Sequence, residues 1–82
     1  MNKINRLNEY RTSDLYLAAY LQTAGVEMIR HDRDGSRVYF VFDSSVANIE
    51  ELKQAWINNT GKVAAQPYSF NIKSLKSLCH LS

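Results

Sequence analysis

The sequence predicts a small α+β domain in which an antiparallel hairpin packs against three helices, in the order helix, strand, strand, helix, helix. The stretch from Val26 to Phe42, VEMIRHDRDGSRVYFVF, sets two apolar, β-branched and aromatic runs on either side of Asp-Gly, a strong short-range hairpin signal. Its second arm, Val38 to Phe42, has no polar residue on either face, so both of its sides need cover. Helical spacing of apolar residues before and after the hairpin supplies that cover for one side.

Residues Met1 to Glu9 are polar and lack a clear period, which reads as a loose arm; residues 10–82 read as one domain. In TSDLYLAAYLQTAG, Thr12 or Ser13 is placed to cap a first turn, Asp14 lies where the helix dipole favours an anion, and Gly25 suits the left-handed residue that ends the helix. Leu17, Leu21 and Ala24 make one stripe and Tyr16 and Tyr20 a second, so this helix is expected to be buried on more than one side.

The hairpin register is open. A two-residue Asp34-Gly35 loop sets Ile29 opposite Phe40 and His31 opposite Val38, whereas a turn starting at Asp32 with Gly35 as a bulge sets Met28 opposite Phe40. In both registers Val38, Phe40 and Phe42 share a helix-covered face, and Tyr39 and Val41 share a face only partly covered.

Beyond Asp43 a helix is expected from about Val46 to Asn59. Asn48 and Glu51 have capping-box spacing, Ile49, Leu52 and Trp56 form the apolar stripe, and Asn58 to Gly61 supply the stop. Pro67 suits the first turn of a last helix, where Tyr68, Ile72, Leu75 and Cys79 share one stripe and Lys73, Lys76 and His80 another. The expected core is Leu17, Leu21, Val38, Phe40, Phe42, Leu52, Trp56, Ile72 and Leu75.

Eighty-two residues form one domain near the lower size limit for folding without a staple, and Cys79, the single cysteine, cannot make an internal disulfide. No apolar run has signal-peptide or membrane-span length, so a cytoplasmic protein with no membrane association is the expectation. Ten Lys and Arg against eight Asp and Glu give a net charge of +2, which permits a nucleic-acid partner without requiring one.

Candidate chemistry is sparse. Arg30, His31, Arg33 and Arg37 with Tyr39 form a basic, aromatic hairpin that could follow phosphates and stack a base. The plainer reading is a solvated turn in which Asp32 and Asp34 partly neutralise the arginines and Arg30 rests on Tyr39. Lys73 and Lys76, with His80, could extend a positive surface, although cations late in a helix also suit its dipole.

The DRDG segment fails as a calcium loop: with Gly35 sixth, the first and twelfth positions are Arg30 and Val41, neither of them a carboxylate. Cys79 and His80 offer too few ligands for zinc, and no nucleophile elbow or phosphate-cradling glycine loop occurs. No cofactor, metal or small-molecule ligand is expected, and the chain reads as non-enzymatic. Five tyrosines, three phenylalanines and a tryptophan are a heavy aromatic load for so small an interior. Phe70, opposite the last helix's apolar stripe, needs cover from a second copy or from the N-terminal arm.

The segments YRTSDLYLAAYL, RDGSRVYFVFD and, more loosely, IKSLKSL resemble a family of short bacterial and phage proteins known only as a domain of unknown function, over Tyr10 to Leu78. The resemblance implies a compact α+β domain and a phage or mobile-element origin, and brings no catalytic residues. The functional expectation is a small binding module acting through a protein partner or as a homodimer, with nucleic-acid binding by the basic hairpin as the alternative.

Overall fold

The computed structural model describes residues 9–45 and 48–80. The chain order is strand β1 (Glu9–Thr12), helix α1 (Leu15–Thr23), strands β2 (Met28–Asp34) and β3 (Arg37–Asp43), helix α2 (Ile49–Ile57) and helix α3 (Ala65–His80). The α+β class and the order of the elements after β1 match the sequence reading, and β1 is an addition. It pairs antiparallel with β3, so the hairpin becomes a three-stranded sheet of order β1-β3-β2 with the apolar strand in the middle. Glu9, read with the loose arm, therefore belongs to the sheet; the rest of that arm and Val46 lie outside the described residues.

Helix ends follow local chemistry, with one change. Asp14, not Thr12 or Ser13, is the N-cap of α1: its carboxylate accepts the N–H groups of Tyr16 and Leu17 at 3.0 and 3.2 Å, while Thr12 ends β1 and accepts the Asp14 N–H. Asn48 caps α2 by accepting the Glu51 N–H.

Two helices end in the same way. Gly25 donates to Gln22 and Val26 to Leu21; Asn59 donates to Trp56 and Thr60 to Ala55. Each is the paired reverse hydrogen bond of a Schellman motif, with the left-handed residue at Gly25 (φ +100°) and at Asn59 (φ +60°). Val26 is thus a buried helix-end residue and not the start of a strand. Gly25→Ala should cost about 1–2 kcal/mol, and Asn59→Gly should be neutral or stabilising by up to about 1 kcal/mol; paired urea melts check the opposite signs.

Neither register expected for the hairpin is adopted. Asp34 pairs with Arg37, Arg33 with Val38, Asp32 with Tyr39, His31 with Phe40 and Arg30 with Val41, so Gly35 and Ser36 alone form the loop. Gly35 sits at φ +64° and Ser36 is not at positive φ, the pattern of a II′ turn, which needs the left-handed residue only at its first position. A bulge at Ile29 then shifts the register, and Met28 pairs with Phe42.

The expected split of β3 holds. Val38, Phe40 and Phe42 join Leu17, Ala18, Ala19, Tyr20, Leu21, Val26, Ile49 and Leu75 in one buried core. Leu52, Trp56 and Ile72, placed in the core from sequence, are partly buried against it. Of the two tyrosines on α1, Tyr20 is buried and Tyr16 is exposed, and Phe70 on α3 is exposed as well.

Candidate functional site

Alternation along three strands sorts the candidate residues onto two sheet faces. The face opposite the core carries Glu9 and Arg11 from β1, Arg37, Tyr39, Val41 and Asp43 from β3, and Arg30, Asp32 and Asp34 from β2. Arg11, Arg30, Asp34 and Arg37 are exposed on it. Val41 is 1% exposed yet outside the core cluster; its partners across the strands on this face are Arg11 and Arg30. The methylene stems of those arginines are the side-chain material suited to cover it.

Arg30 and Arg11 are held there. Arg30 forms a forked pair with Glu9, Nη1 to Oε2 at 3.0 Å and Nη2 to Oε1 at 3.2 Å, reaching across β3, and its Nε donates to both Asp32 oxygens at 3.2 Å. The hydrogen bonds to Glu9, opposed by partial desolvation and aided by the Asp32 charge, hold the Arg30 proton more firmly than usual. The expected rest of Arg30 on Tyr39 is not made. Arg11 takes that place, with its guanidinium carbon 3.9 Å from the Tyr39 ring centroid, a cation–π contact. At the edge of the face, Asp43 accepts from the hydroxyl and then the backbone N–H of Ser45, which lowers its pKa below the ordinary carboxylate value.

His31 and Arg33 oppose Phe40 and Val38 and so project to the helix side of the sheet. Arg33 Nη2 donates to the Cys79 carbonyl at 3.1 Å in the last turn of α3, where the helix dipole favours a cation. The basic hairpin is therefore divided: Arg30, Arg37 and Tyr39 share one face, and His31 and Arg33 the other. Lys73 and Lys76 are exposed on α3.

A second feature lies on the helical side. Tyr20, Trp56 and Tyr68 line a half-open cleft of about 490 Å³ with Asn59, Gly61, Lys62 and Val63 of the α2–α3 loop. The Tyr20 and Trp56 rings are 5.2 Å apart and inclined by 37°. Burial, and secondarily the Asp14 charge, raises the pKa of the Tyr68 phenol above its ordinary value.

Sequence reasoning missed Glu9 and Arg11 because they fell at or near a polar arm; the alternation Glu9-Tyr10-Arg11-Thr12 was the available signal. It placed the three cleft aromatics on separate helix stripes and within a general aromatic excess without bringing them together, and read Gly61 only as a helix stop.

Among the described residues, no group of three or more His, Cys, Asp or Glu is placed to hold a metal ion, and no helix is long and apolar enough to cross a membrane. No curated protein and no solved structure matches the sequence. A family model does match, over residues 7–81, nearly the whole chain, so the sheet-face residues of β1, Glu9 and Arg11, fall inside the match. The chain belongs to the family described as Domain of unknown function (DUF5659).

Proposed function

We propose that the protein is a small, non-enzymatic binding module that engages a protein partner, or a second copy of itself, through the charged face of its sheet. The observation that carries this reading is the arrangement at the centre of that face, where Arg11 stacks on Tyr39 beside buried Val41 and arginines alternate with carboxylates. Tyr and Arg are the side chains that most often dominate protein interfaces, and mixed charges in fixed positions select a partner by complementarity.

The nucleic-acid alternative has weaker support. Binding by counterion release needs uncompensated cations, and here Arg11, Arg30 and Arg37 stand among Glu9, Asp32, Asp34 and Asp43. A cytoplasmic site of action and a phage or mobile-element origin belong to the same proposal. The lone Cys79 suits a reducing compartment, and the resemblance to short bacterial and phage proteins supports the origin.

The test compares the parent with Arg11→Ala and Tyr39→Ala. The parent should capture a protein from lysate of its host, or self-associate in sedimentation, and the two variants should lose that association while staying folded, with melts lowered far less than by a core truncation such as Phe40→Ala. Equal association of parent and variants, or neither capture nor self-association by the parent, contradicts the proposal.

A further inference from the structure

The aromatic cleft is a separate surface from the sheet face and has the makings of a side-chain socket. Its size falls in the range of about 300–1,000 Å³ typical of ligand sites. Tyr20, at 4% exposure, is its floor, and Trp56 and Tyr68 are its partly exposed walls. Tyr20 is buried beneath Trp56 and the loop at Gly61, so the rings open to a further aromatic side chain are those of Trp56 and Tyr68.

The charge of the cleft is one-sided. Among the described residues, Lys62 is the only charged side chain in its lining, is exposed and has no ion pair. Asp14, the acid whose field reaches Tyr68, is not in the lining, and its carboxylate is engaged in capping α1. The cleft therefore combines aromatic walls with one exposed cation.

We propose that this cleft is the docking site for an aromatic side chain flanked by carboxylates on a partner protein, with the ring seated between Trp56 and Tyr68 above buried Tyr20 and a carboxylate meeting Lys62. The inference rests on the protein-binding reading but uses a different surface, so either fails without the other: the cleft is tested by Lys62 variants and the sheet face by Arg11 and Tyr39 variants.

Trp56 is the only tryptophan in the chain and lines the cleft, so its fluorescence and its indole N–H resonance report occupancy directly. The full chain is titrated with four probes: acetyl-Glu-Phe-Glu-amide, acetyl-Lys-Phe-Lys-amide, acetyl-Glu-Leu-Glu-amide and uridine monophosphate. The acidic phenylalanine peptide should give a saturable change. The lysine-flanked and leucine peptides should bind more weakly by about two- to fivefold, the size of one charge pair or one aromatic pair. Lys62→Gln should weaken the acidic peptide and Lys62→Glu should weaken it further, both with unchanged melts because Lys62 is exposed. The proposal is overturned by no saturable change with the acidic peptide, by equal binding of the lysine-flanked or leucine peptide, by tighter binding of the nucleotide, or by indifference to both Lys62 variants.

Discussion

Phe40→Ala is expected to destabilise the protein by about 3–5 kcal/mol, the cost of truncating a buried aromatic and leaving a cavity. Phe40 is 1% exposed at the middle of the central strand, with Thr12 of β1 beside it on one side and His31 of β2 on the other. The sheet's neighbours on both sides would have to move to fill the gap. A domain of this size loses roughly 4–8 °C of melting temperature per kcal/mol, so the melt should fall by more than about 12 °C. Tyr39→Ala, one residue along but on the charged face, should cost far less. Equal losses for the two would mean that the faces are wrongly assigned.

Gly61→Ala is expected to cost roughly 1–3 kcal/mol, although the residue is exposed and its φ is not left-handed. A Cβ on Gly61 would lie 2.7 Å from Tyr20 Cζ and 2.8 Å from Cε1, and closer still to the hydroxyl. Neither side yields readily. Tyr20 is buried and packed on Trp56, and the loop is tied down where the Thr60 and Gly61 N–H groups both donate to Ala55, at 2.8 and 3.1 Å. The substitution should lower the chemical-denaturation midpoint and shift the Trp56 emission together, because loop, tyrosine and tryptophan form one packed unit. An unchanged midpoint would show that the loop gives way at no cost.

What was legible in the sequence depended on how local its cause is. Gly25 as the end of α1 and Asn48 as the cap of α2 could be read directly, because a cap is settled within a few residues. The burial of Val38, Phe40 and Phe42 on one face follows from strict alternation and holds in any register. β1 was hidden because it has only four residues, two of them charged, and gains its order from pairing with β3, 28 to 34 positions away.

The hairpin register was hidden for a different reason. Gly35 satisfies a positive-φ position in more than one turn, so Asp-Gly marks a hairpin without fixing its loop. The adopted loop keeps Arg30 and Asp32 on the charged face, and the bulge at Ile29 returns Met28 to the core beside Phe42. A skipped residue of that kind has no signature in an alternating sequence. The candidate site inherits both effects: Tyr39 was identified, but its cation is Arg11, from the strand that could not be seen.

The division of the hairpin between two faces underlies the functional reading, and proton NMR tests it most directly. In a hairpin with a two-residue loop the last pair is hydrogen-bonded and the next is not, and facing α-protons are close only in the latter kind. With Asp34 and Arg37 closing the loop, strong contacts are expected between the α-protons of Arg33 and Val38 and between those of His31 and Phe40. A strong α-proton contact between Asp32 and Arg37 in their place would set the loop at Asp34-Gly35 and contradict the register on which the face assignments rest.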